Sequence, residues 1–246
     1  MPPPRSIARS IAVASGKGGV GKTWFSITLA HALARLGRRV LLFDGDLGLA
    51  NVDVQLGFAP RFGLPEVLNG MDPSAAIERF EPGGFDVLAG SSGSGALAGL
   101  EAAALDRVLG ALRGLDYDHV LMDLGAGLEG GVRRMAAWAD TLIVIATGEP
   151  TSITDAYATL KLHAADKPAG DARLVVNAAS SPAAAQRTAD TIRRACGTFL
   201  GTAPDWLGGI RRDPSVPESI RRQALLLTRS PACMAAVDVE GIAAAI

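Results

Sequence analysis

Gly16-Lys17-Gly18-Gly19-Val20-Gly21-Lys22-Thr23 satisfies G-x-x-x-x-G-K-[ST] at every defined position. The apolar run 11–14 precedes it and an Ala- and Leu-rich stretch, 22–36, follows, so strand, glycine loop and helix come in the order the motif needs. Glycines let successive backbone N–H groups turn inward around phosphate oxygens, and the helix opening near Lys22 adds the positive end of its dipole. Lys22 is expected on the β- and γ-phosphates and Thr23 on a Mg2+, with Gly18, Gly19, Val20 and Gly21 supplying the backbone of the cradle. Lysine usage agrees: the chain has 20 arginines and four lysines, and two of the four lie in this loop. A compact ammonium enters a phosphate pocket as a point charge, where a planar guanidinium needs a wider site.

Outward from the loop, short apolar runs recur at 40–43, 85–89, 120–122, 142–146, 174–176 and 206–210, and read as buried parallel strands. Helical stretches alternate with them at 100–112, 130–138, 152–164 and 182–200. The alternation predicts an α/β fold, a doubly wound, mostly parallel sheet with helices on both faces. Ligands of such sheets sit beyond the carboxyl ends of the strands. The proline-rich start, 1–9, reads as a flexible tail, 10–246 as a single domain, and the glycine-serine stretch 90–99 as a surface loop.

A chain of 246 residues, 48% hydrophobic, has enough material for one sizeable core. Its net charge of −1 supplies no global positive field for nucleic acid or an anionic membrane. Cys196 and Cys233 lie far apart and outside any C-x-x-C pattern, which speaks for buried thiols in a reducing compartment rather than a disulfide or zinc framework. The apolar run after Arg5 and Arg9 is too short for a signal-peptide core, and no run approaches the length of a spanning helix. A cytoplasmic protein is expected.

Carboxylates fall where the sheet would present them. Asp44 and Asp46 follow the 40–43 run, and Asp123 ends the run 117–123. Hard oxygen ligands suit Mg2+; helix capping competes as a reading of any one aspartate but not of all three together. Asn177 follows the 174–176 run with an amide that both donates and accepts. Asp213 is in a turn-like stretch, 210–216. The N-K-x-D signature of guanine binders is absent, so ATP is the expected nucleotide.

An ordinary phosphate loop needs no second lysine, and Lys17 adds one. The segment Lys17-Gly18-Gly19-Val20-Gly21-Lys22-Thr23 resembles the deviant Walker A family that includes MinD and ParA, with pattern K-G-G-x-G-K-[ST]. The resemblance implies a homodimer formed with ATP, in which Lys17 reaches the partner's nucleotide. It implies catalytic roles for Lys17, Lys22 and Asp46, with Asp46 positioning the attacking water. It also implies that Asp44 acts near the metal, Asp123 holds Mg2+ through its water shell, and Asn177 and Asp213 lie on the adenine side. Two positions depart from the pattern. Leu124 stands where relatives carry Thr or Ser, which removes a hydroxyl expected near the metal and suggests slow hydrolysis or an altered γ-phosphate switch. Arg211 replaces the proline of I-P-x-D-x-x-V.

Asp44-Gly45-Asp46-Leu47-Gly48-Leu49-Ala50-Asn51-Val52-Asp53, with Leu56-Gly57, resembles the flagellar-number regulators FleN and FlhG. So does Glu149-Pro150-Thr151-Ser152-Ile153-Thr154-Asp155-Ala156-Tyr157. That likeness implies control of flagellar number or placement through a transcriptional activator or an assembly protein. It leaves Asp155 two roles, a partner for Lys17 in one nucleotide state or a cap of the helix it begins. The tail lacks the D-Q-A motif that relatives use for the GTPase FlhF, which speaks against that partner. Residues 232–246 carry Asp238 and Glu240 but no Lys or Arg, which disfavours stable membrane anchoring. The rival is a ParA-type DNA binder: eight arginines against four acids between Arg187 and Arg229 could meet phosphates, although a solvated helical surface explains them as well.

Overall fold

The computed structural model describes residues 8–90 and 102–246. In chain order the elements are β1 (Arg9–Ser15), α1 (Lys22–Arg35), β2 (Val40–Gly45), α2 (Val52–Leu56), α3 (Leu64–Leu68), α4 (Pro73–Ala76), β3 (Glu78–Phe80) and β4 (Phe85–Leu88). They continue with α5 (Ala102–Arg113), β5 (His119–Ala126), α6 (Gly130–Trp138), β6 (Thr141–Ala146), α7 (Pro150–Asp166), β7 (Asp171–Ala179), α8 (Pro182–Leu200), β8 (Asp205–Arg211), α9 (Ser215–Arg221), α10 (Leu226–Arg229) and α11 (Met234–Ala244).

The strands form one sheet in the order β3-β4-β2-β5-β1-β6-β7-β8. Every neighbouring pair is parallel except β3 with β4. The runs are apolar at consecutive positions because both faces are covered. On β1, Ile11 and Val13 join a core with Phe25 and Leu29 of α1, Leu226 and Leu227 of α10 and Val239 of α11. Ala12 and Ala14 face the other way, into a core with Leu109 of α5, Met135 of α6, Leu160 of α7 and Ile192 of α8. The doubly wound sheet expected from the sequence is therefore present. Fully buried Phe25, Phe43 and Phe85 each stabilise it by roughly 1.5–3 kcal/mol.

Local signals set the helix ends. Ser181 accepts a hydrogen bond from the Ala184 N–H and Pro182 opens α8, while Gly201 closes it at φ 71°. β1 lies between β5 and β6, so the loop that leaves it emerges mid-sheet, at the carboxyl ends of the strands.

The described residues begin inside the stretch read as a tail. Ala8 is buried, Arg9 is already in β1, and its guanidinium donates to the Ile246 carbonyl at 3.0 Å. Residues 1–7 of that tail, and all but Gly90 of the glycine-serine loop, lie outside the described residues. Among the described residues no helix is long and apolar enough to cross a membrane.

Candidate nucleotide site

Residues 16–21 form the turn from β1 into α1, and the sequence explains its shape. Gly19 and Gly21 have φ of 78° and 91°, a region that costs other residues a steric penalty. Gly21 precedes the first helical residue with no side-chain cap, so the first N–H groups of α1 are left for a ligand. Two glycines also permit close approach. A Cβ on Gly16 would lie 2.5 Å from the Asp155 carbonyl oxygen, and one on Gly21 would lie 2.4 Å from Asn177 Nδ2. Lys22 is buried at the head of α1 and Thr23 follows, half-buried.

On one flank, the ends of β2 and β5 bring the carboxylates together. Asp44 stands opposite Asp123 in the parallel register, and Val13 of β1 stands opposite Asp123 on its other side. Both aspartates are almost fully buried. Burial pushes the Asp44 carboxyl up to about 7, the neighbouring Asp123 adds to the rise, and N–H groups of Val52, Asp46 and Asn51 oppose it. Burial likewise raises Asp123, while the Lys22 charge and the Thr23 and Ser26 hydroxyls pull it down. Ser26 Oγ donates to Asp123 Oδ1 at 2.9 Å. Asp46 accepts from the Gly48 and Leu49 N–H groups through Oδ1, at 3.1 and 2.9 Å.

Two buried carboxylates side by side, each resisting ionisation, call for a cation. No group of three or more His, Cys, Asp or Glu forms a ready-made cage among the described residues. Mg2+ needs no such cage, because it keeps waters and takes phosphate oxygens beside one or two protein ligands. Thr23, Asp44 and Asp123 fit that donor set.

On the other flank, the ends of β7 and β8 carry Asn177 and Asp213, both already engaged. Asn177 Nδ2 donates to the Val20 carbonyl of the loop at 2.8 Å, and its Oδ1 accepts from the Ala178 N–H at 2.8 Å. Asp213 accepts from the Ser215 N–H through Oδ1 and from the Met234 N–H through Oδ2, both at 2.9 Å. Burial pushes its carboxyl up, but the N–H groups of Ser215, Met234 and Ala235 outweigh that and leave it below the usual range. Asp213 thus ties its loop to the start of α11, which is more than a plain turn residue does.

Lys17 points away from the buried carboxylates. Its ammonium pairs with Glu149 Oε2 at 3.0 Å and with Thr151 Oγ1 at 3.1 Å, and its side chain stays 40% exposed. The capping role expected for Asp155 falls to another residue: Glu149, not Asp155, sits at the N-cap of α7, and it is Glu149 that Lys17 bonds in the isolated chain. What Asp155 supplies is backbone against which Gly16 packs.

Leu124 also corrects an expectation. Side chains alternate along β5, so Leu124 is fully buried in the core with Met135, on the face opposite Asp123. A hydroxyl there would enter an apolar layer, so its absence leaves the carboxylate cluster intact. Ser26 escaped the sequence reading, and Glu149 and Thr151 entered it only within the 149–157 stretch, with no role of their own. Ser26 had a signal, a small polar residue inside the apolar run Trp24-Phe25-Ser26-Ile27. The pairing of Lys17 across 132 positions had none.

The model of the CobQ/CobB/MinD/ParA nucleotide-binding domain matches residues 11–226, which spans the loop and both flanks. The chain belongs to the CobQ/CobB/MinD/ParA nucleotide-binding family. It is therefore a MinD/ParA-type ATPase by family. It is 35% identical over 235 residues to the antiactivator FleN of Pseudomonas aeruginosa, covering 95% of this chain and 84% of that one. It is 30% identical over 239 residues to the flagellum site-determining protein YlxH of Helicobacter pylori, covering 95% and 80%. The structure of the septum site-determining protein MinD of Pyrococcus horikoshii with Mg-ADP superposes with a TM-score of 0.80 at 26% identity, covering 96% of this chain and 94% of that one.

Proposed function

We propose that this family member is an ATP-driven switch: it dimerises with ATP and Mg2+, hydrolyses the ATP, and regulates flagellar number or placement in the bacterial cytoplasm through partner proteins. The observation that carries this reading is similarity across 95% of the chain to an antiactivator and to a protein named for siting flagella.

The residues divide the work. Backbone N–H groups of residues 18–23 and the Lys22 ammonium hold the phosphates, and the glycine turn keeps side chains out of their way. Bound with the nucleotide, Mg2+ would offset negative charge on the β- and γ-phosphate oxygens, held by Thr23, Asp44 and Asp123. Asp46 orients the attacking water and takes its proton; its Oδ1 is fixed by Gly48 and Leu49, which leaves Oδ2 for the water. Asn177 and Asp213 frame the adenine side.

Lys17 completes the site of the other subunit. Leaving its exposed pair with Glu149 costs about 0–1 kcal/mol. Each new charge-assisted contact to phosphate gains roughly 1.5–3 kcal/mol, so two subunits gain about 3–6 kcal/mol. Moving an equilibrium from about 1:99 to 99:1 takes about 5.5 kcal/mol. Lys17 therefore supplies much of the dimerisation energy, and hydrolysis removes it.

Recruitment of DNA by the arginines after Arg187 fits less well. Asp238 neutralises Arg211, and Arg221, Arg222 and Arg229 gather on Glu218. The test is a flagellar count in the host bacterium after deletion of the gene and after replacement by Asp46→Ala, with DNA binding measured beside it. Altered flagellar number without ATP-stimulated, salt-sensitive DNA binding supports the proposal. Unchanged flagella with such binding refutes it.

A further inference from the structure

The C-terminal helix is wired to the nucleotide site. At the end of β8, Arg211 makes a forked ion pair with Asp238 of α11: Nε reaches Oδ2 at 2.9 Å, Nη2 reaches Oδ1 at 2.8 Å, and the Arg211 backbone N–H donates to Oδ2 at 2.8 Å. The pair is half-shielded, with side chains 29% and 14% exposed, where such bidentate contacts fix geometry as well as charge. Two residues on, Asp213 receives the N–H of Met234, the first residue of α11. Between them Arg212 N–H donates to the Ala179 carbonyl at 2.8 Å. That places the loop against the end of β7, where Ala178 is held at φ 54° and Asn177 grips Val20 of the phosphate loop. A continuous series of polar contacts thus runs from α11 to the cradle. The Ile242 side chain of α11 also packs close against β8, since a Cβ on Gly208 would lie 2.8 Å from Ile242 Cγ1.

The flank carrying this series is the one left for the base. Asp44, Asp46 and Asp123 lie on the β5 and β2 side of the cradle, so the metal-bearing end of the triphosphate is committed there. The nucleoside must extend toward β7 and β8. We infer that Asp238 is a positioning residue for the nucleotide base, acting through Arg211 to hold the 211–215 loop, and that α11 is therefore coupled to base binding. The inference rests on the proposed ATP reading. Coupling of this kind is reciprocal: whatever α11 contributes to base affinity, base binding returns as protection of α11.

The experiment measures dissociation constants for Mg-ATP and for Mg-tripolyphosphate, which has the phosphates but no base, on the full chain. Wild type, Asp238→Asn and the charge-swapped Arg211→Asp/Asp238→Arg chain are compared. The expected result is an ATP affinity about five- to tenfold weaker in Asp238→Asn, tripolyphosphate affinity unchanged, and partial recovery of ATP affinity in the swap. Hydrogen exchange of amides 234–244 in the wild type gives a second reading that needs no variant: ATP should slow it and tripolyphosphate should not. Equal weakening of both ligands, unchanged ATP affinity in Asp238→Asn, or exchange equally affected by both ligands overturns the inference. A wild type that binds tripolyphosphate as tightly as ATP overturns the base-side reading on which it depends.

Discussion

The two flanks of the cradle are built on opposite plans. At the ends of β2 and β5, three aspartates crowd together, two of them buried and held toward the neutral form by desolvation. At the ends of β7 and β8, Asn177, Arg211 and Asp213 are engaged by partners within the chain. The first flank has capacity for charge that the protein alone does not meet, and the second is a braced frame. A site for a magnesium nucleotide needs both: a place where arriving charge relieves a cost, and a wall that does not move when it arrives.

The sharpest way to break this contrast is Gly21→Ala, at the junction of the flanks. The added Cβ lies 2.4 Å from Asn177 Nδ2 in a backbone held at φ +91°, so it strains the loop and forces the frame off the cradle. Nucleotide affinity is expected to fall by about a hundredfold or more, read by equilibrium titration; near-normal binding would mean the frame is not needed. Asp46→Ala tests the charge-receiving flank: turnover should fall by about 10²–10⁴-fold while ATP binding persists, as steady-state and binding assays together would show.

A pH series sharpens the comparison further. Burial pushes the Asp44 carboxyl in the folded chain up to about 7, well above the ordinary aspartate value of about 3.9. Between those values the folded chain holds the proton that the unfolded chain has lost. This site therefore costs stability progressively as pH rises from about 4 to about 7. Without ligand, the melting temperature of wild type minus that of Asp44→Asn should drop by at least about 2 °C between pH 5 and pH 8. Mg-ATP should cancel the drop; a difference that does not move with pH contradicts a strained carboxylate. The smallest effect belongs to Glu149→Gln. Loss of an exposed ion pair should change stability by under about 0.5 kcal/mol and favour ATP-dependent dimerisation by about two- to fivefold, measurable by sedimentation across a concentration series.

The sequence exposed the charge-receiving flank more fully than the frame, for a physical reason. Asp44, Asp46, Asp123 and the loop lie within a few residues of apolar runs that name their own strands, so position along the chain predicts position at the sheet's edge. Frame contacts cross long separations: Arg211 meets Asp238 and Asn177 meets Val20 through folding alone. The same limit applies to the fold. Six strands announce themselves as buried runs; 206–210 also reads as one, but β8 is the other edge of the sheet and buries only Ile210, while β3, with the sequence Glu78-Arg79-Phe80, is a short antiparallel edge with one buried side chain. The helices α2, α3 and α4 are five residues or fewer, too short for periodicity to register. The stretch 232–246 drew attention for what it lacks, basic residues. Its role follows from Ala235, Ala236, Val239, Ile242 and Ala243, which α11 buries in the core shared with α1.

Lys17 belongs to neither flank, and it carries the central claim: a lysine tied to Glu149 in the isolated chain transfers to a partner's ATP. The direct test is the solution mass of wild type, Asp46→Ala and Lys17→Ala with no nucleotide, ADP and ATP. Monomers are expected without nucleotide and with ADP, a dimer of wild type with ATP that Asp46→Ala makes persistent, and no ATP dimer for Lys17→Ala although it still binds ATP. A Lys17→Ala chain that dimerises with ATP as wild type does would contradict that claim.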